Sequence, residues 1–336
     1  MNLDASKIEI KPVSWDKDLM SSRLEFEIKG ISHTIINTFR RIILSNIPIY
    51  SFNNITISEN TSVFNNNYMK LRISNMPVFG IHSDNPIYVP PVKEVKEKEK
   101  KEEINDLNDL DINPQDDIAN INSSSLKLLT MYLDYYNNSD EIVTVGTDDC
   151  KFYYIEKQIA SPYTKNIPII KLQPKQKFKM SAITELGIEE INSIYSPVSI
   201  FTYKQITEDH FLVMIESRGQ LNEKMIIQYA YDNIKMILDN FLQLILDIES
   251  DNNLAGKIQM NNGDHTLGNL IAEGLQSHKK IKFAGYNCPH LLDKKIIFHY
   301  ELNENSSDIK NIIKEIVKNY HDVFFKINKM VQDKIK

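Results

Sequence analysis

His33-Thr34-Ile35-Ile36-Asn37 and His265-Thr266-Leu267-Gly268-Asn269 are the two stretches from which the organisation of this chain can be read. Before the first copy, Ile8-Glu9-Ile10 and Leu24-Glu25-Phe26-Glu27-Ile28 place an apolar side chain at every second position, as strands with one buried face require. Gly30 breaks that alternation and Ser32 can cap a helix. Ile35, Ile36, Phe39, Ile42, Ile43 and Ile47 then follow at helical spacing. This helix should stop before Pro48, and its other face carries His33, Asn37, Arg40 and Arg41. The second copy has the same setting. A strand is expected near Gly256 to Met260, Asp264 caps, and Leu267, Leu270, Ile271, Gly274 and Leu275 share one helical face.

Each copy leads on to a long striped helix. From about Asn222 to Glu249, Ile227, Ile234, Phe241 and Ile248 recur seven apart, with Ala230, Leu238 and Ile245 between them. The final helix, with caps expected at Ser306 and Ser307, carries Ile309, Ile312, Ile313, Ile316, Val317, Tyr320, Val323, Phe324, Ile327 and Met330. At ~1.5 Å per residue it would be roughly 40 Å long, too long to be buried by so small a unit alone. Two units of one design, each with an uncovered stripe, can bury both stripes against one another. The expected fold class is therefore α+β, an intramolecular pseudo-dimer. Its structural residues would be His33, Thr34, His265, Thr266 and Asn269 in the motifs and Ile234, Phe241, Ile316 and Phe324 in the seam.

Between the copies the signal weakens. Short strand-like runs and Pro77, Pro86, Pro90 and Pro91 precede a solvated, charged linker at about 92–125, and Leu126–Tyr136 and Phe152–Ile155 read as strands. Strand patterns return at Ile167–Ile170, Phe178–Met180 and Phe211–Ile215, and the last copy adds Phe283–Tyr286 and the alternating Ile296, Phe298, Tyr300 and Leu302, with Pro289 between. The implied domains are 1–50 with 166–250 as a discontinuous first unit, 51–165 as a mainly β insert, and 251–336 as the second unit.

The chain has 336 residues, 42% hydrophobic and 25% charged, enough for two or three domains. Its net charge is −6, and Lys93–Asp117 alone sets five lysines against ten acids. The remainder is nearly neutral, which gives no support to a phosphate-binding surface. Cys150 and Cys288 cannot form a four-cysteine zinc site or a disulfide framework, and a reducing, intracellular home fits them. The N-terminus lacks a signal-peptide core, and the most apolar stretch, near Phe241–Ile248, is interrupted by Gln243 and Asp247, so no membrane segment is expected. Neither a phosphate loop nor a carboxylate cluster is apparent. His33 and His265 begin helices, where the dipole favours the neutral imidazole, so a hydrogen-bonded structural role is expected for both, and no catalytic residue is assigned.

The segment His33-Thr34, Asn37, Arg40-Arg41-Ile42-Ile43-Leu44-Ser45 and Pro48 resembles the first-helix motif of RNA polymerase alpha subunits and their archaeal and eukaryotic counterparts. Pro168–Leu172, Tyr195-Ser196-Pro197-Val198 and Ile215–Gly219 are similar to later stretches of the third-largest polymerase II subunit. Asp264–Leu270, Phe283–Tyr286 and Pro289-His290-Leu291 are similar to the small subunit that pairs with it. The resemblance covers about residues 1–50 and 165–336 and implies a fusion of the two partners, of the kind encoded by large DNA viruses. It further implies a non-catalytic assembly subunit of a DNA-directed RNA polymerase, with the largest, second-largest and small subunits as partners. DNA would be reached only through the complex. The expected location is intracellular: a cytoplasmic virus factory and the virion for a viral chain, with the host nucleus still open. The family's insert often holds a cysteine cluster, but here it has Cys150 alone, so neither metal nor cofactor is expected.

For subunit contacts the expectation falls on Asn37, Arg40 and Arg41, with Arg41 meeting the second-largest subunit, and on Phe283, Tyr286 and His290. Both arginines are read as free, with Ile271 and Ala272 at the matching places of the second copy, and Ile36 against Gly268 as a difference that changes helix spacing between the halves. Two other function classes stay open at this point: a small hydrolase or transferase using His33, and a freestanding coiled-coil interaction protein.

Overall fold

The computed structural model describes residues 5–17, 21–88, 128–155, 157–247, 254–261, 263–290, 295–303 and 308–335. The charged stretch expected to be a linker, together with Ile248, Leu291, Ser306 and Ser307, lies outside them. The chain is a mixed helix and sheet protein that divides into two compact units. One comprises residues 1–48, 84–87 and 188–336, the other 49–83 and 88–187.

Antiparallel strands β1 (Glu9–Lys17) and β2 (Ser22–Lys29) open the first unit and lead into α1 (His33–Ser45). Gly30 makes the sharp exit from β2 at φ +78, a region L-residues avoid, and a Cβ there would collide with the Lys7 carbonyl. Ser32 caps α1 as its position suggested, its hydroxyl accepting from the Ile35 amide at 3.4 Å.

The second unit holds β3 (Ile49–Asn60), α2 (Asn66–Ser74), β4 (Leu129–Tyr136), β5 (Val143–Gly146), β6 (Lys151–Tyr154), β7 (Lys157–Ile159), β8 (Pro168–Leu172) and β9 (Lys177–Gly187). Five strands form an antiparallel sheet in the order β3-β9-β4-β6-β7, and β5 pairs with β8. Sequence reading gave residues 166–187 to the first unit. They cluster in the second because β9 pairs with β3 from Ile49↔Gly187 to Asn60↔Phe178 and with β4 on its other edge. Hydrophobic spacing did not reveal α2, which buries only Met69 and Ile73 and leaves Tyr68 and Leu71 exposed. Apolar residues on opposite sides of a helix cancel the periodic signal.

The remainder of the first unit is β10 (Val198–Thr207), β11 (His210–Ser217), α3 (Glu223–Asp247), β12 (Ala255–Asn261), α4 (His265–Ser277), β13 (Ile281–Asn287), β14 (Lys295–Leu302) and α5 (Ile309–Lys334). Its sheets run β1-β2-β11-β10 and β12-β14-β13. With β1 set aside the two are wired alike: a strand, a short helix, a hairpin and a long helix, with the last strand in the middle of the sheet. Asp308 caps α5, accepting from the Lys310 amide at 2.9 Å, one residue beyond the expected pair Ser306 and Ser307.

The long helices α3 and α5 pack antiparallel. Lys224 and Gln332 exchange bonds from Nζ to carbonyl and from Nε2 to carbonyl, each 3.0 Å. Asn328 Nδ2 donates to Gln228 Oε1 at 2.7 Å, and His321 Nε2 lies 3.0 Å from Asp239 Oδ1, so residue numbers rise on one helix as they fall on the other. Apolar side chains fill the seam. The Phe39 and Phe324 rings meet edge-on at 5.2 Å, Phe241 meets Phe298 at 5.5 Å, and Ile227 and Ile327 line one apolar gap with Phe39. Each such side chain removed from water contributes about 1.5–3 kcal/mol, so the stripe that had no partner in the sequence finds one here.

Candidate assembly interface

The two His-Thr motifs sit at the starts of α1 and α4, and their side chains meet. Arg41 Nε donates to Thr266 Oγ1 at 2.8 Å, and its Nη2 lies 3.7 Å from the capping carboxylate of Asp264. In the reverse sense Asn269 Nδ2 donates to Thr34 Oγ1 at 3.4 Å. Each motif threonine thus accepts a bond from the opposite helix. The Arg41–Asp264 pair is exposed, and the guanidinium's shorter bond to the buried Thr266 is what gives the contact its geometry.

The histidines are alike too. His33 Nε2 is 2.8 Å from the Tyr203 hydroxyl on β10, with rings 5.6 Å apart at 72°. His265 Nδ1 is 3.3 Å from the Tyr286 hydroxyl on β13, with rings 5.9 Å apart at 64°. Both imidazoles are exposed, and each is held by a tyrosine from the same position in its sheet. Tyr203 is not singled out by the sequence and Tyr286 is expected there only as a subunit contact, because strand spacing alone does not say which residue reaches a helix start.

Several expectations are corrected by this geometry. Neither arginine is free: Arg40 Nε donates to Asn37 Oδ1 at 3.1 Å, and Arg41 binds the second motif. Counted from the paired histidines, the places matching Arg40 and Arg41 are Ala272 and Glu273, one residue beyond the pair Ile271 and Ala272. Gly268 does not set helix spacing. A Cβ there would lie 2.5 Å from the Tyr286 ring, so this glycine lets β13 approach α4. The close helix contact belongs to Gly274, where a Cβ would lie 2.5 Å from Ile316 Cγ2, and there the Tyr320 hydroxyl donates to the Leu270 carbonyl at 2.7 Å. Phe283 and Tyr286 do not form one aromatic edge. Tyr286 packs over Gly268 while Phe283, 58% exposed, belongs to the alternate face of β13, and His290 is exposed beyond that strand. Of the seam residues, Ile234 meets α1 and α4 beside Thr38 and Leu267, and Ile316 meets α4 at Gly274.

Residues 25–238 match the RNA polymerase Rpb3/Rpb11 dimerisation domain, and residues 255–329 match that domain again. The chain belongs to the Rpb3/Rpb11 dimerisation-domain family. A protein named as DNA directed RNA polymerase subunit R470 of Acanthamoeba polyphaga mimivirus is 25% identical over 314 residues, covering 89% of this chain and 86% of that one. DNA-directed RNA polymerase subunit Rpo3 of Methanocaldococcus jannaschii is 23% identical over 213 residues, covering 63% and 85%. The Schizosaccharomyces pombe RNA polymerase II subunit RPB11 is 35% identical over 68 residues, covering 20% of this chain and 54% of its own. As an Rpb3/Rpb11-type fusion the chain is a non-catalytic assembly subunit of a DNA-directed RNA polymerase, and this family assignment sets aside the readings as a hydrolase and as a freestanding coiled coil.

Among the described residues of the Rpb3/Rpb11-type scaffold, Glu223 is a buried carboxylate that the sequence did not single out. Glu223, fully buried in the first turn of α3, accepts from Trp15 Nε1 at 3.2 Å and from the Ser22 hydroxyl, and so ties β1 and β2 to the long helix. In sequence it is merely an acid at a helix start. Among the described residues no three His, Cys, Asp or Glu side chains are grouped to hold a metal ion, and no helix is long and apolar enough to cross a membrane.

The two cysteines are free. Burial, with Asp149 and Asp148 beside it, pushes the Cys150 thiol up to about 12, and burial with Asp264 also raises Cys288. Below its raised pKa a thiol stays protonated, and thiolate falls about tenfold per unit. At pH 8, alkylation followed by mass spectrometry should therefore label Cys288 at least about tenfold faster than Cys150. Equal rates would contradict the raised thiol of Cys150.

Proposed function

We propose that this chain is a one-piece version of a two-chain assembly platform. Residues 1–48 with 188–250 act as one dimerisation unit, 251–336 as its partner in an intramolecular pseudo-dimer, and the intervening β-rich residues 49–187 as an insert. The observation that carries this reading is the reciprocal pairing of the motif helices, Arg41 to Thr266 and Asn269 to Thr34. Thr34 and Thr266 are matching residues of the two repeats, and two-fold association of like units turns each toward the opposite helix, although their donors, Asn269 and Arg41, stand at different places in the repeat. The like wiring of the two sheets and the antiparallel α3–α5 seam support it. Joining the halves makes the second association intramolecular, which raises its effective concentration without any new contact.

The platform docks the second-largest and largest polymerase subunits, and reaches DNA only through them. The corner formed by Asn37, Arg40 and Arg41 meets the second-largest subunit, and on the other half the exposed Phe283 and His290 offer separate contacts, Tyr286 being engaged with Gly268 and His265. Within that corner Arg40 is the better docking residue, because the Arg41 guanidinium already bridges the two motifs. Likeness to the mimivirus protein along most of the chain supports a viral polymerase assembled in a cytoplasmic factory.

The test is capture of the co-expressed second-largest subunit by the tagged full chain. Arg40→Glu, which within this chain loses its bond to Asn37, should leave melting unchanged and reduce capture about tenfold or more. Undiminished capture would remove the docking role of the corner.

A further inference from the structure

Helix α2 carries apolar side chains on two opposite sides. Met69 and Ile73 are buried within the second unit, whereas Tyr68 is 46% and Leu71 63% exposed. Phe64 and Val63, in the loop leading to the helix, are exposed as well, and the Phe64 ring stacks on Tyr68 at 5.1 Å and 21°. Tyr68 and Leu71, three residues apart, extend this stack into a single ridge.

The ridge is held in place. Asn60 Nδ2 donates to the Phe64 carbonyl and to Asn66 Oδ1, both at 2.8 Å, while its Oδ1 accepts from the Ser62 amide at 3.0 Å and from the Ser62 hydroxyl at 2.6 Å. Asn65 caps the helix by accepting from the Tyr68 amide at 2.8 Å. A network that fixes an exposed aromatic loses nothing further when that aromatic is covered, which is the physical meaning of a preorganised anchor.

Charge selects what covers it. From Thr61 to Met76 the chain has Lys70 and Arg72 and no acid, and Glu59, just before it, is paired with Lys177 at 2.7 Å. Arg72 is held by its bond to the Pro168 carbonyl at 2.8 Å.

We propose that the Phe64–Tyr68–Leu71 ridge is a docking surface for an acidic amphipathic helix of a partner protein. A helix presents apolar side chains three and four residues apart, matching the spacing of the ridge, and its flanking carboxylates would meet Lys70 and Arg72. The ridge belongs to the second unit and the corner at Arg40 to the first, and neither proposal depends on the other.

The full-length chain is titrated into two fluorescein-labelled synthetic amphipathic peptides that share leucines at helical spacing. One carries glutamate and the other lysine at all remaining charged positions, and binding is read by anisotropy. The glutamate peptide should bind at least about tenfold more tightly than the lysine peptide, and Leu71→Glu should weaken it about tenfold or more at unchanged melting temperature. Equal binding of the peptides, no binding of the glutamate peptide, or undiminished binding to both Leu71→Glu and Tyr68→Glu would overturn the proposal. So would self-association in sedimentation that Leu71→Glu abolishes, since it would assign the ridge to a second copy of this chain.

Discussion

Phe324→Ala should destabilise the full chain by about 3–5 kcal/mol, the cost of emptying a large aromatic site that its surroundings cannot refill. The site is a severe one. Phe324 is 1% exposed on α5, its ring meets Phe39 of α1 edge-on at 5.2 Å, and Tyr320 packs against it at 6.2 Å. Phe39 precedes α3 and Phe324 follows it, so the lost contact joins the two repeats and should weaken them together. Urea denaturation is the direct measurement. The intrinsic fluorescence of Trp15, bonded to Glu223 at the start of α3, reports from the first repeat, although the substitution lies in the last helix. A Trp15 transition that stays at the wild-type urea midpoint would show that the repeats do not share this seam.

Gly274→Ala should also destabilise, by about 1–3 kcal/mol, although helix propensity argues the other way by about 1 kcal/mol. The sign of the effect is therefore diagnostic. Gly274 lies inside α4, where alanine is the better helix former, but the added Cβ would stand 2.5 Å from Ile316 Cγ2 and 3.0 Å from the Tyr320 ring. Tyr320 cannot move away cheaply, because its hydroxyl bonds to the Leu270 carbonyl at 2.7 Å, a buried acceptor with no access to solvent water. Ile316→Ala removes the colliding methyl, so the double variant should be less destabilised than the sum of the two single changes. Thermal unfolding of the four proteins tests this. A stabilised Gly274→Ala would mean that α4 and α5 are not in close contact.

Local chemistry was enough to read the elements of the repeat. Ser32 and Asp264 announce their helices by the oxygen each offers to free amides, and alternating residues such as Ile296, Phe298, Tyr300 and Leu302 can bury a face only as a strand. The stripe through Ile227, Ile234 and Phe241 likewise required a partner before any partner was visible. Short-range patterns carry these features because they arise from hydrogen bonds and burial along one element.

The site was less legible, because its residues act across the chain. Arg40 and Arg41 look equivalent in sequence, yet one bonds to Asn37 on its own helix and the other to Thr266 on the facing one. Two adjacent residues on a helix point about 100° apart, and only the position of the second helix decides which of them is engaged. The pairing of His33 with Tyr203 and of His265 with Tyr286 was hidden for a similar reason.

The amino-acid sequence by itself determined that this protein contains two copies of one capped-helix unit with long apolar stripes, because periodicity and capping are properties of neighbouring residues. Only the tertiary structure decided that Arg41 closes onto Thr266, that Gly274 rather than Gly268 admits the facing helix, and that β9 belongs with β3. Those outcomes depend on distances between segments far apart in the chain, which packing fixes and local pattern does not encode.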